Sequence, residues 1–265
     1  MAVGNLDQAT HGTVAAPSLT YSSAESLNSG ISVALRSLPA PTPTPTPLVT
    51  PSAVPTQTPV TTVSLVQHCY GEDRVGNGET SASIALCSSP TNGHLILIQV
   101  VTNGQTFTAQ TLPIIPPSGY TQIRADYFNS DSQDYGSMAE YYHVWQTGDP
   151  TTVSFSFATP ITPNWSVSEW SGFNLSNPIG TTVAQGTNAG RNTAITVPSL
   201  TLQSAGSAVV MYAGGEFYYG NAWVSHPAPG FSAEQNQIGD GVVGILDFAL
   251  MNLSPRCRCR IQKPR

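Results

Sequence analysis

Short stretches in which apolar and polar residues alternate recur along most of this chain. Thr62–Gln67, Ser81–Leu86 and Thr152–Phe157 alternate in this way, and Leu95–Val101 is almost wholly apolar. A period of two puts one face of a strand inward and the other toward water. Further strand-like segments are 94–102, 122–128, 137–146, 165–171, 193–197, 208–213 and 242–250. The pattern predicts an all-β protein built from antiparallel strands.

Turn-forming residues separate these segments. The clearest signals are Asn77-Gly78, Asn92-Gly93, Asn103-Gly104, Pro117-Ser118-Gly119 and Gly148-Asp149-Pro150. Many short strands at this spacing, without an amphipathic helical segment, are typical of a β-sandwich or a jelly roll. We therefore expect a sandwich or jelly-roll-like arrangement.

A tract rich in proline and threonine divides the chain. Residues 39–61 contain Pro-Thr repeats that favour extended polyproline II and cannot build a core. This boundary predicts a segment 1–38, a linker 39–61 and a β-sandwich domain 62–253. The remaining residues, 254–265, form a basic tail that we expect to be disordered.

Two internal repeats suggest how segment 1–38 relates to the rest. Gly4–Ala9 matches Gly244–Ala249 at a constant offset, and Pro17–Thr20 matches Pro198–Thr201. The simplest interpretation is that 1–38 is the closing-strand segment of a preceding repeat, within a tandem-repeat protein. We hypothesise that Gly30–Leu35 fills a missing strand position, in its own chain or in a neighbour. An open sheet edge would then allow self-association.

The composition narrows the possible partners. Only 9% of residues are charged and the formal net charge is -6, with five of the nine basic residues crowded into 256–265. Phosphate neutralisation needs a field of Lys and Arg, so nucleic acid is not an expected partner. No apolar run reaches the roughly 18 residues of a membrane span. Low charge with abundant Thr, Val, Tyr and Ser is the usual composition of secreted all-β proteins, and 23 Gly and 22 Pro indicate frequent turns.

The four cysteines fall into two pairs. Cys69 and Cys87 flank a probable hairpin, and a disulfide between them would suit an oxidising, extracellular compartment. Cys257 and Cys259 are too close for an ordinary disulfide with each other and lack partners for a zinc site. We assign them to the basic tail.

Two glutamates are candidates for catalysis. Glu140 and Glu169 both lie on predicted strands beside aromatic residues. Two carboxylates about 5–9 Å apart can hydrolyse a glycosidic bond, and a neighbouring aromatic ring can raise the pKa of the acid. The alternative is that each is a solvated or hydrogen-bonded strand residue, because sequence spacing does not give a distance across strands.

An aromatic segment near residue 220 is a candidate binding loop. It offers flat rings and an amide that suit a sugar ring, which stacks on aromatic faces and bonds at its rim; the residues are Phe217, Tyr218, Tyr219, Asn221 and Trp223. The alternative is that the loop packs locally over the end of the domain.

Signals for other chemistry are weak. The sequence has no Gly-x-Ser-x-Gly nucleophile elbow, and its histidines lack metal-binding spacing. Asp126, Asp131 and Asp134 form an acidic stretch that offers oxygen ligands for Ca²⁺, yet it lacks the glycine and terminal glutamate of an EF-hand. A solvated polar loop is the alternative. No other cofactor is expected.

Five short motifs recur at turns and strand starts: Gly93-His94-Leu95-Ile96-Leu97, Pro117-Ser118-Gly119-Tyr120, Tyr141-Tyr142-His143-Val144, Glu169-Trp170-Ser171-Gly172 and Asn177-Pro178-Ile179. Together these motifs resemble tandem β-sandwich modules of secreted bacterial surface proteins and phage tail or virion-associated proteins. They correspond to turns and strand starts, so the resemblance implies a fold and an extracellular or cell-surface setting without implying a reaction. We expect a non-enzymatic structural, adhesive or glycan-binding module. The alternative function is a jelly-roll glycoside hydrolase that uses Glu140 and Glu169.

Overall fold

The described part of the chain is built from β-strands. The structure is a computed structural model that describes residues 12–14, 18–20, 27–37, 62–72, 79–104, 114–129, 135–188, 194–196, 200–202, 206–216, 226–227, 232–237 and 246–252. Within these residues there is no helix, and all strand pairings are antiparallel. The predicted all-β class is therefore confirmed. The sheets do not close on themselves in this part of the chain, and the sandwich or jelly-roll arrangement stays a prediction.

The strands are numbered in chain order. They are β1 (Gly12–Val14), β2 (Ser18–Thr20), β3 (Leu27–Leu35), β4 (Ser64–Glu72), β5 (Glu79–Ala85), β6 (Leu95–Gly104), β7 (Ile114–Ile115), β8 (Thr121–Asn129), β9 (Tyr135–Val144), β10 (Thr152–Ser171), β11 (Ile179–Asn188), β12 (Ala194–Thr196), β13 (Leu200–Leu202), β14 (Ala208–Glu216), β15 (His226–Pro227), β16 (Ser232–Gln237) and β17 (Leu246–Asn252).

The central sheet has the strand order β4-β10-β6-β9-β8. Its middle strand β6 carries the apolar run Leu95–Val101, and the sheet is covered on both faces along this run. Leu95, Leu97 and Val101 belong to one buried cluster, whereas Ile96, Ile98 and Val100 belong to another. A strand that is buried on both faces needs apolar residues at consecutive positions, which explains why this run does not alternate.

Strand β10 takes part in two layers. Its first part, Thr152–Phe157, pairs with β5 and β7, and its second part, Asn164–Ser171, pairs with β4 and β6. The sequence predicted these parts as two strands. Pro160 lies between them, where the register to β5 shifts between Ser156 and Ile161. Proline cannot donate to a ladder and is tolerated at such irregular positions. Cys69 and Cys87 were expected to flank a hairpin, but the described strands β4 and β5 do not pair with each other and each pairs with β10.

A second sheet has the order β11-β3-β14-β17-β16 and faces the central sheet. Val33 and Leu35 of β3 and Val210 and Tyr212 of β14 are buried in the same cluster as Trp170 of β10. Burial of about 25 cal/mol per Å² of apolar surface makes such a shared cluster the main stabilising contact between two sheets. We call it the inter-sheet core.

The N-terminal strands run alongside residues 179–202. Strand β1 pairs with β13, β2 pairs with β12, and β3 pairs with β11. The two segments that echo each other in sequence do not pair with each other, because Ser18–Thr20 pairs with β12 and Leu200–Leu202 pairs with β1. Strand β3 also pairs with β14 along its whole length, so the segment hypothesised to fill a strand position occupies the interior of a sheet.

Candidate functional site

The two candidate catalytic glutamates are far apart. Strand β6 separates their strands, with Gln99 opposite Glu140 and Ile96 opposite Glu169. A three-residue offset across two strand spacings puts their Cα atoms about 14 Å apart. They also lie on opposite faces of the central sheet. Glu140 is two residues from Met138, so it faces the inter-sheet core, whereas Glu169 is two residues from Val167, so it faces the other buried cluster. The structure does not bring these two carboxylates together as a hydrolytic pair.

Glu169 is a buried and fully engaged carboxylate. Its side chain is 2% exposed. It accepts hydrogen bonds from the Thr91 backbone N–H at 2.9 Å, from His94 Nδ1 at 2.6 Å and from Gln67 Nε2. Ser88 in turn donates to Gln67 Oε1 at 2.6 Å. These bonds tie the segment between β5 and β6 to the sheet, and we call this group the Glu169 cluster.

The hydrogen bonds decide the charge of Glu169. Burial by itself raises the pKa of this carboxyl, but the bonds from Thr91, Gln67 and His94 together lower the pKa below its ordinary value of 4.5. Donors that favour the ionised form outweigh desolvation when several of them converge. Glu169 is therefore an anion whose oxygens accept hydrogen bonds from the protein itself. This agrees with the alternative stated from the sequence, in which the glutamate is a hydrogen-bonded strand residue.

Glu140 lies in a polar row that crosses the inter-sheet face. Residues in direct register across five neighbouring strands share one face of the sheet. At this level all five are polar, in the order Tyr70, Ser166, Gln99, Glu140 and Arg124. The ends of the row reach solvent, with Tyr70 56% exposed, whereas Gln99 and Glu140 in its middle are buried. We call these five residues the polar row.

The middle of the polar row has acceptors without donors. Both carboxyl oxygens of Glu140 and Oε1 of Gln99 have no hydrogen-bond partner, while Nε2 of Gln99 points to Met138 Sδ at 2.8 Å. Burial, aided by the negative charge of Asp126 and opposed by Arg124, raises the pKa of Glu140 well above its ordinary value. A buried carboxyl without donors keeps its proton. Glu140 is accordingly a neutral acid.

Tyr212 of the facing sheet places its hydroxyl near the polar row. Its phenol contacts Ser168 Oγ at 3.2 Å, and Trp170 Nε1 donates to the same oxygen at 2.8 Å. Burial, together with the charge that Glu140 would carry, raises the pKa of Tyr212. A tyrosine that cannot ionise serves as a hydrogen-bonding group between the sheets and adds no charge.

The predicted cysteine pair is present as a disulfide between Cys69 and Cys87. It joins β4 of the central sheet to the segment that follows β5, and both residues pack against the cluster that contains Val167. Closing a loop of this length stabilises a fold by about 3 kcal/mol. The disulfide is compatible with an oxidising, extracellular compartment.

The candidate calcium ligands are only partly visible. The Asp126 carboxylate accepts a hydrogen bond from Arg124 Nε at 2.7 Å, whereas Asp131 and Asp134 lie outside the described residues. Where the structure describes the chain, no group of three or more His, Cys, Asp or Glu side chains is placed to hold a metal ion. Calcium binding stays a prediction.

A histidine that the sequence did not single out joins two turns. His143 contacts Asp149 Oδ2 at 2.7 Å through Nε2 and the Gly119 carbonyl at 3.0 Å through Nδ1, and its ring lies 4.9 Å from that of Tyr120. Each ring nitrogen faces one oxygen, so the imidazole bridges the two turns. The hydrogen bonds from His143 and from the Gln146 backbone lower the pKa of Asp149. In the sequence, the Gly148-Asp149-Pro150 turn that follows β9 was the feature that could have indicated this contact.

The aromatic binding candidates lie beyond the described part of the chain. Strand β14 ends at Glu216, so Phe217, Tyr218, Tyr219, Asn221 and Trp223 have no structural account. Among the described residues, β4 carries two of the exposed large apolar side chains, Val66 and Tyr70, and forms one end of the central sheet.

Comparisons of the chain with family models, with curated proteins and with solved structures find no match. Nothing in the described residues is a helix long and apolar enough to cross a membrane.

Proposed function

We propose that this chain is an extracellular, non-enzymatic β-sandwich module with a structural, adhesive or glycan-binding role. The observation that carries the proposal is the placement of its two candidate catalytic carboxylates. Glu169 is occupied by three donors from the protein, and Glu140 is sealed in the inter-sheet core. Neither glutamate has an oxygen available to a polymeric substrate, since Glu169 is engaged by the protein and Glu140 is buried.

The arrangement of layers also supports a structural role. The central sheet is buried on both faces, and the Cys69–Cys87 disulfide joins it to the smaller layer formed by β5, β7 and the first part of β10. A disulfide and two apolar clusters suit a module that must stay folded outside the cell. A glycan-binding role rests on the aromatic segment 217–223, and its evidence is the sequence alone.

The hydrolase alternative loses the geometry that it requires. A retaining enzyme needs carboxyl groups about 5 Å apart and an inverting enzyme needs them about 6.5–9.5 Å apart, on the same cleft. Glu140 and Glu169 meet neither condition because they lie on opposite faces of the central sheet.

A binding and turnover experiment tests the proposal. The full chain is assayed against a panel of polysaccharides for retention in affinity electrophoresis and for release of reducing ends. We expect retention by at least one glycan without turnover, and we expect Trp223→Ala to weaken retention at least about tenfold. Tyr70→Ala is the matched control, since it removes an exposed aromatic ring elsewhere. Reducing-end release that disappears in folded Glu140→Gln or Glu169→Gln would contradict the proposal.

A further inference from the structure

Strand β3 completes a sheet whose other members all come from much later in the chain. Its neighbours β11 and β14 lie at residues 179–188 and 208–216, and β3 pairs with both. Val33 and Leu35 are fully buried in the inter-sheet core. Without β3 the ladder groups of β11 and β14 would be unpaired and the core would be open, so this slot has to be filled by a strand.

The residues that flank the proline-rich segment meet at one place. The Ser37 backbone N–H contacts Ser207 Oγ at 3.5 Å, and the Val63 N–H donates to the Gly206 carbonyl at 3.0 Å. Because Gly206 and Ser207 are adjacent, Ser37 and Val63 lie within about 10 Å of each other. Two or three residues would span this gap, yet 25 residues, 38–62, connect the two ends.

The composition of this connection opposes a return to its starting point. Residues 38–62 contain eight prolines, and such a sequence favours a semi-rigid extended chain of about 3.1 Å per residue, roughly 80 Å in all. A stiff chain has to bend sharply to bring its ends within 10 Å, whereas it can span two molecules without bending. Stiffness therefore lowers the effective concentration of β3 at its own slot.

We propose that β3 is exchanged between copies of this chain, so that residues 12–37 of one copy complete the five-stranded sheet of a second copy. Each copy offers one donor segment and one slot, and the pairing of β1, β2 and β3 with residues 179–202 is the same whichever copy supplies the donor. The partner is a second copy of this chain, and residues 38–62 connect the two molecules. Exchange explains why a long, proline-rich connection leaves and re-enters the fold at one point.

A cross-linking experiment on the full chain tests the exchange. Ser32 on β3 is in direct register with Met211 on β14, and paired strand positions have the Cα separation that a disulfide needs. The variant Ser32→Cys/Met211→Cys is made in a background with Cys257→Ser and Cys259→Ser, oxidised over a range of concentrations, and separated on a denaturing gel without reductant. The two single-cysteine variants control for random cross-linking.

A second protein isolates the contribution of the linker. It replaces residues 39–61 by a Gly/Ser sequence of equal length, which behaves as a flexible coil with a millimolar effective concentration. At about 0.1 mM we expect the native linker to give mainly dimers and larger cross-linked products. We expect the flexible linker to reduce that fraction at least about fivefold, in favour of single chains with an internal bond.

The possible outcomes separate clearly. Multimeric bands that depend on both cysteines and decline with the flexible linker support the exchange. Single chains at every concentration with both cysteines oxidised would overturn it, since β3 would then occupy its own slot. Absence of any cross-link beyond the single-cysteine controls would also overturn it, because β3 would not lie beside β14.

Discussion

Two buried glutamates on opposite faces of one sheet illustrate how differently this protein treats the same side chain. Glu169 lies near the end of β10, where the segment before β6 supplies a backbone N–H and a histidine. Glu140 lies at the middle of the polar row, where neither of its two carboxyl oxygens has a hydrogen-bond partner. Both are at most 2% exposed.

The comparison shows that burial alone does not decide the charge of a carboxyl. Three donors hold Glu169 in its ionised form, and the pKa falls although burial acts in the opposite direction. The same burial without donors keeps Glu140 protonated. An ionised, engaged glutamate stabilises the fold at neutral pH, whereas a neutral, unpaired one costs free energy there.

The substitution Glu169→Gln tests the engaged member of the pair and has the largest expected effect. The amide loses the charge and puts an NH₂ donor in place of one carboxylate oxygen. Either Gln67 Nε2 loses its acceptor, or the Thr91 N–H and His94 Nδ1 both lose theirs. We expect the free energy of unfolding to fall by about 3 kcal/mol at pH 7, as measured by urea denaturation. Glu140→Gln is the isosteric control, for which no loss is expected. A change of less than about 0.5 kcal/mol would show that the Glu169 cluster is energetically unimportant.

Acid titration sharpens the same contrast. The folded-state pKa of Glu169 is lowered from an ordinary value of 4.5, and that of Asp149 from 3.8. A lowered carboxyl pKa contributes stability that is present above the unfolded value and is lost as pH falls through the folded value. We therefore expect a loss of about 1–2 kcal/mol between pH 5 and pH 3. The slope should flatten in Glu169→Gln, and an unchanged slope in that variant would contradict the assignment.

The substitution Glu140→Gln tests the unpaired member. Its folded-state pKa is raised, so its contribution to stability is complete below the unfolded value of 4.5 and is lost as pH rises toward the folded value. The amide has no proton to lose and offers a donor to Gln99 Oε1. We expect a gain of about 1 kcal/mol at pH 8 that vanishes at pH 4, as measured by thermal or urea unfolding. Destabilisation at pH 8 would mean that Glu140 is an anion with a partner.

Asp149→Asn has the smallest expected effect. It measures how much a partly exposed carboxylate contributes to stability, for comparison with the buried Glu169. It weakens the contact with His143 and the bond from the Gln146 N–H. We expect a loss of about 0.5 kcal/mol that is reduced by high salt, because solvent screens such pairs. The measurement is urea unfolding at low and high ionic strength. A loss comparable to that of Glu169→Gln would remove the distinction between the buried cluster and this exposed pair.

Local patterns were enough to predict most strands of the central sheet. Alternation located β5 and β9, and the glycines at the predicted turns adopt positive φ, with values of 80° at Gly93, 90° at Gly119 and 103° at Gly148. Strands β11 and β16 were not predicted, because their polar sequences, rich in Thr, Gln and Asn, carry little apolar alternation. Strand β11 pairs with β3, which lies more than 140 residues earlier in the chain, whereas β16 pairs with β17, the next strand.

At the candidate site, spacing along the sequence did not predict which side chains lie close together. Both glutamates were identified, and the disulfide between Cys69 and Cys87 was predicted, yet the pairing of Glu140 with Glu169 required a distance that no local pattern contains. The polar row was invisible because its five members come from five strands. His143 was overlooked because its role depends on Gly119 and Asp149, which lie on separate turns.

The sequence by itself determined the class of the fold, since a period of two and frequent turn residues specify strands through local sterics and the burial of one face. It also predicts a boundary at residues 39–61, because a proline-rich tract cannot form a core, and this boundary stays a prediction. Only the tertiary structure decided which strands are neighbours, and hence which polar groups meet. Register assigned three donors to Glu169 and none to Glu140, and it placed β3 between strands that begin more than 140 residues later. Hydrogen bonds and desolvation act over a few ångströms in space, so the charge of each glutamate was set by neighbours that are distant along the chain.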